Sequence, residues 1–181
     1  MYHALVHYPQ IDTTFIEEFR KTYDPYFQLA KVHITFLFGI PDVVQLADLE
    51  KHIRSVLSSW EPFPISIKDI NMSWDQCMYL GIEEGNDSIL LLHDELYGGM
   101  LQEFLRNDIP FNPHLGIGIF SKQSYDPENP TQYDLDEEKY NKAFVDTEKI
   151  EIGYRCNIDK LTLIRIDNNF KEIIDLVMIP H

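Results

Sequence analysis

Two short stretches hold the residues best suited to chemistry: Lys31-Val32-His33-Ile34-Thr35-Phe36 and Pro113-His114-Leu115-Gly116-Ile117. Side chains two apart in an extended strand share a face, so His33 and Thr35 stand side by side while Ile34 and Phe36 turn the other way. The same register sets His114, Gly116 and Gly118 on one face, cleared of bulk, and Leu115, Ile117 and Ile119 on the other. An imidazole, with its ordinary pKa of about 6.5, is available near neutrality in either protonation state and can accept or donate a proton. A lone histidine on a strand is usually structural. What singles out His33 and His114 is their matched placement, each early in the third element of its half of the chain. The other histidines lack such a match. His3 and His7 share one strand about 13 Å apart, too far to share an ion, and His52 and His93 read as surface or capping positions.

The elements that must carry these residues follow from the apolar periodicity. A strand is expected over Tyr2 to Tyr8, a helix over Thr13 to Tyr23 and a strand over Lys31 to Ile40. A second helix is expected over Asp42 to Trp60 with Asp42 as its cap, then strands near Phe63 to Asn71 and Gln76 to Glu83. The run Ile89-Leu90-Leu91-Leu92 within Ser88 to His93 reads as a buried strand, followed by a helix from Glu95 to Arg106. A strand over Asn112 to Phe120, a helix over Leu135 to Lys149, strands over Ile150 to Ile158 and Lys160 to Ile166, and a hydrophobic run over Lys171 to Met178 complete the chain. The order repeats between about residues 1–84 and 85–181, as in a single internally duplicated domain. The Pro-, Asn- and Asp-rich stretch 121–138 has no counterpart in the first half and reads as an insertion, a functional lid or, in preference, a variable surface loop.

His33-Ile34-Thr35 and Phe111-Asn112-Pro113-His114-Leu115, at matching places of a duplication, resemble the two-histidine (2H) phosphoesterases, which include the 2′-5′ RNA ligases and cyclic nucleotide phosphodiesterases. The resemblance covers essentially the whole chain in element order. It implies an α+β, internally duplicated, bilobal domain, with two antiparallel-rich sheets and outer helices around a central cleft, needing neither metal nor cofactor. His33 and His114 would flank a phosphodiester, one drawing a proton from the attacking water and the other protonating the departing ribose oxygen. Thr35 would hold a nonbridging oxygen and stabilise the charge that grows on it. Gly116 departs from the family pattern, which has Thr or Ser there, so a backbone N–H, a water or another side chain takes that role, or turnover is impaired. Lys31, with the strand parity of His33, and Lys122 are the candidate cations for the phosphate. The expected activity is hydrolysis of a small cyclic phosphate nucleotide or a short oligonucleotide. The alternatives are a degenerate domain that binds a nucleotide or phosphorylated ligand without turnover, and a plain interaction module.

Composition narrows the partners. The chain has 181 residues, 44% of them hydrophobic, with 15 Lys and Arg against 30 Asp and Glu, for a formal charge of −15. Such a surface repels duplex DNA, long RNA and anionic membrane, and favours a small nucleotide or an RNA terminus met in a local pocket. The opening MYHALVHYPQ has no basic segment leading into a sustained apolar run, so neither signal peptide nor membrane span is expected. The expectation is therefore a cytoplasmic monomer. Cys77 and Cys156 lack the spacing of a disulfide framework or zinc site and read as buried thiols. The acidic stretch at 126–138 lacks the spacing of a calcium loop. No P-loop, nucleophile elbow, zincin or dinucleotide-binding motif occurs.

Overall fold

Strands alternate with helices through most of the chain, and every strand pair among the described residues is antiparallel. The computed structural model describes residues 1–122, 134–150, 152–166 and 170–178, except for the side chain of Phe170. The strands are β1 (Tyr2–His7), β2 (Ile34–Pro41), β3 (Phe63–Met72), β4 (Cys77–Ile82), β5 (His114–Ile119), β6 (Tyr154–Ile158), β7 (Lys160–Ile166) and β8 (Phe170–Val177). The α-helices are α1 (Thr14–Tyr23), α2 (Leu46–Leu57), α3 (Asn86–Leu96) and α4 (Glu137–Asp146), with 3₁₀ turns at Gly99–Phe104 and Thr147–Lys149.

The α+β class and the antiparallel pairing are as expected from the sequence. The two expected sheets are the halves of one eight-stranded curled sheet, in the order β6-β3-β4-β5-β2-β1-β7-β8. Between the halves, β2 and β5 share a single register pair, Ile34 with Leu115. Helices strengthen that seam, because α1 lies against β5 and α3 against β2, each reaching across to the other half. Ile34, Phe36, Leu115 and Ile117 fill the core between sheet and helices with Ile16, Ile89 and Leu92. Fully burying one such side chain stabilises the fold by roughly 1.5–3 kcal/mol.

Two like units hold the centre: β1–α1–β2 and β4–α3–β5, each a pair of neighbouring antiparallel strands joined through a helix. The halves of the sheet are not the halves of the chain. Strands β3 and β4 pair into the half that holds β5 and β6, while β7 and β8 return beside β1.

Several boundaries differ from the sequence reading. Ser88 to His93 is not a strand but the body of α3, where Ile89, Leu92, His93 and Leu96 are buried and Leu91 is 56% exposed. That is helical spacing, and an apolar run of only four residues is compatible with either state until its neighbours choose. The helix expected over Glu95 to Arg106 is the end of α3 followed by a 3₁₀ turn. Gly98 and Gly99 make that break, since Gly99 takes φ +59° and a Cβ on Gly98 would come within 3.0 Å of the Glu95 carbonyl oxygen. Helix α2 starts at Leu46 without Asp42 as its cap, because β2 runs on through Pro41 and Val43 is exposed. The stretch 123–133 of the expected insertion, with Tyr125 and Tyr133, lies outside the described residues. Its flanks are tied by a bridge between Ser121 and Leu135.

Candidate active site

The seam between the two halves of the sheet carries the candidate site. In an antiparallel pair centred on Ile34 and Leu115, the residues on either side oppose one another, so His33 lies across from Gly116 and Thr35 across from His114. Ile34 and Leu115 are fully buried against the helices. Their neighbours along each strand therefore turn to the opposite, open face, where His33, Thr35, His114 and Gly116 come together, each half-buried. The sequence-based parity holds as far as Ile117 and then fails. A register shift between Met78 and Tyr79 lets one extra residue into β5. Gly118 consequently faces Tyr23 and Phe120 in the core, and Ile119 turns toward the open side.

Each imidazole is held the same way. His33 Nδ1 donates to the carbonyl of Lys31 at 2.7 Å, and His114 Nδ1 donates to the carbonyl of Asn112 at 2.6 Å. A carbonyl oxygen only accepts, so Nδ1 carries the proton in both rings and Nε2 is left with its lone pair, or with a second proton when the ring is charged. A tyrosine from the neighbouring strand side flanks each ring. Tyr8 stands edge-on to His33 with centroids 6.3 Å apart, and Tyr79 packs at 5.0 Å from His114. Asn112 also donates through Nδ2 to the Tyr79 hydroxyl at 2.9 Å, so one residue fixes both the histidine and its neighbour.

Burial holds the His33 imidazole below its ordinary value of 6.5, and the positive charges of Arg20 and a protonated His114 act in the same direction. The Lys31 carbonyl and Asp24 oppose the shift. Arg20 is itself buried and organises the approach to β2. Its guanidinium reaches Asp24 at 2.8 Å, Glu17 at 3.1 Å and the Ala30 carbonyl at 2.7 Å. On the other side, His93 of α3 stacks face to face on Phe111 at 3.8 Å, anchoring the segment that leads into His114.

The remaining expected residues are distributed unevenly. Thr35 shares the open face with His33, and its hydroxyl has no hydrogen-bond partner among the described residues. Lys31 is beside His33, but its ammonium is ion-paired with Glu172 at 2.8 Å and lies over the Tyr8 ring. Lys122 lies past the end of β5, where its backbone N–H donates to the Asp134 carbonyl at 2.9 Å. At Gly116 an added Cβ would meet only Cys77 Sγ, at 3.7 Å, so there is room for the hydroxyl that the position lacks. Burial, with the carboxylates of Asp75 and Asp24, pushes the Cys77 thiol up to about 12 and keeps it protonated. Cys77 and Cys156 are both free. Sequence reasoning missed Tyr8, Tyr79 and Arg20, because strand register and a helix-to-loop clamp bring them to the histidines. No group of three or more His, Cys, Asp or Glu side chains among the described residues could hold a metal ion. No helix among them is long and apolar enough to cross a membrane.

The structure is thus a curled antiparallel sheet with two equivalently clamped imidazoles on its open face. The chain belongs to the 2'-5' RNA ligase superfamily, the 2H phosphoesterase family, whose model matches residues 8–169. Among curated proteins it is 27% identical over 120 residues to Geobacillus kaustophilus "Putative phosphoesterase GK0864", an alignment covering 65% of this chain and 68% of that one. It is also 27% identical over 107 residues to a Geobacillus thermodenitrificans protein named "Putative phosphoesterase", covering 58% of this chain and 60% of that one. In fold it is similar to TT0787 of Thermus thermophilus, with a TM-score of 0.63, 14% identity, and 98% and 96% of the two chains covered. E. coli LigT complexed with 3'-AMP gives a TM-score of 0.58 at 10% identity, covering 99% and 98% of the two chains.

Proposed function

We propose that this cleft hydrolyses a phosphodiester by moving protons through His33 and His114. The observation that carries the reading is the matched pair of Nδ1 clamps, which leaves an Nε2 on each ring available at the same open seam. His33, held below the ordinary histidine value, is the base. Its Nε2 takes a proton from the attacking water as the oxygen bonds to phosphorus. His114, protonated at Nε2, gives its proton to the departing ribose oxygen as the P–O bond breaks. The Thr35 hydroxyl, otherwise without a partner among the described residues, donates to a nonbridging oxygen. The substrate is a small cyclic phosphate nucleotide or the end of a short RNA, a choice supported by the charge of −15. Residues 1–181 act as one duplicated domain, with β1–α1–β2 and β4–α3–β5 as its equivalent units.

A second reading, nucleotide binding without turnover, is favoured by Gly116 and by the pairing of Lys31 with Glu172. Phosphorus NMR with 2′,3′-cyclic nucleotides and short 2′-5′-linked oligoadenylates, in the presence of a chelator, separates the two. Hydrolysis is expected from the wild type, with a loss of about 10²-fold or more in both His33→Ala and His114→Ala. A wild type that shifts a ligand's resonance without forming product supports the binding domain, and turnover that survives either substitution defeats the two-histidine mechanism.

A further inference from the structure

The two walls of the cleft differ in what they leave unspent. On the His33 side, Tyr8 is hydrogen-bonded to Glu172, Lys31 is paired with the same carboxylate, and Thr162 and Lys160 both bind Asp175. On the His114 side there is an open hollow of about 170 Å³, lined by Lys68, Asp69, Asn71, Tyr79, Gly81 and Asn112 among others. It adjoins the candidate site directly, because Gly81 is the cross-strand neighbour of His114, and Tyr79 and Asn112 already touch that histidine. Gly81 leaves the space open, since a Cβ there would lie 3.2 Å from the Asn71 amide.

Two side chains at the solvent-exposed rim of this hollow have no hydrogen-bond partner among the described residues: the Asp69 carboxylate and the Asn71 amide. Asp69 sits in a bulge of β3, at the register shift between Lys68 and Ile70, with φ +58°. A left-handed residue in a bulge beside a site is one way in which a fold re-aims a side chain. Lys68 is ion-paired with Glu83, so the uncompensated charge in the hollow is the negative charge of Asp69. Such a hollow repels a phosphate and accepts hydrogen-bond donors.

We infer that the hollow beside His114 holds the nucleoside of the substrate, and that Asp69 and Asn71 read its base, favouring guanine. The inference rests on the phosphodiesterase reading above for its reacting group. Among the bases, guanine offers two adjacent N–H donors, which match the two oxygens of one carboxylate, whereas uracil offers a single ring N–H. The expected preference is about tenfold, the size of one good bidentate contact.

The test compares kcat/KM for guanosine, adenosine and uridine 2′,3′-cyclic phosphates in wild type, Asp69→Asn and Asn71→Ala. Asparagine tolerates the left-handed conformation, so Asp69→Asn removes the charge and keeps the bulge. The expected result is a guanosine-to-uridine ratio of about ten, carried in KM, that falls toward one in Asp69→Asn. Equal use of the bases by wild type, or a ratio retained in Asp69→Asn, overturns the inference. If no substrate is turned over, the hydrolase reading fails by itself. The same ratio is then taken from Kd values for 3′-GMP and 3′-UMP: a guanine preference that Asp69→Asn abolishes upholds the subsite, and equal or absent binding overturns it.

Discussion

Position 116 lies across the seam from His33, where a side chain would have room but the sequence supplies only hydrogen. If the cleft stabilises a phosphoryl transition state, this is where one added donor has the most effect. Gly116→Ser is expected to raise kcat by about tenfold or more, a conservative share of the hundred- to thousandfold associated with one such donor. Steady-state rates on one cyclic nucleotide check this. An unchanged rate would mean that another group already fills the role. At this scale the candidate site was partly legible: residue type and matched placement picked out His33 and His114, and strand parity set Thr35 beside His33. Tyr8 and Tyr79 were not, because nothing in a strand's own sequence says which ring of the adjacent strand will lie beside it.

The element that decides how His33 is presented is the segment from α1 into β2, and its organiser is Arg20. A buried guanidinium that satisfies Asp24, Glu17 and the Ala30 carbonyl fixes the path of residues 24–32. Arg20→Met is expected to cost about 3–5 kcal/mol, because it strands carboxylates in a site where they are largely shielded from water. Urea denaturation measures the loss, and a shift below about 1 kcal/mol would show that the segment holds without its clamp. Element type was legible wherever the period was clear, as in α1 and β2. It failed at Ser88 to His93, where the apolar run suited a buried strand equally well. The positions that α3 buries, Ile89, Leu92 and Leu96, became apparent only against the packed sheet.

For the whole molecule, buried histidines make the fold sensitive to acid. His3, His7 and His93 are almost fully buried, and His7 Nε2 and His3 Nδ1 have no hydrogen-bond partner among the described residues. Burial holds all three, and His33 with them, below the ordinary value of 6.5. Below that pH the unfolded chain binds more protons than the folded one, so stability is complete above about 6.5 and falls as the pH drops through it. Each group contributes up to about 1.4 kcal/mol per pH unit. The urea midpoint is therefore expected to fall measurably between about pH 7.5 and pH 5.5. A flat midpoint would mean that these imidazoles are charged in the folded state.

Taken by itself, the sequence determined the residue types available for chemistry, the alternation of strands and helices around them, and the net charge of −15. These are properties of short stretches and of sums, which a linear reading can carry. Tertiary structure alone decided that β2 and β5 meet at Ile34 and Leu115, that Lys31 is paired with Glu172, and that Asp69, Asn71 and Gly81 line one hollow beside His114. Those are pairings between residues far apart in the chain. They are selected by which register buries the most apolar surface and leaves the fewest polar groups unmatched, a competition that no single segment can resolve.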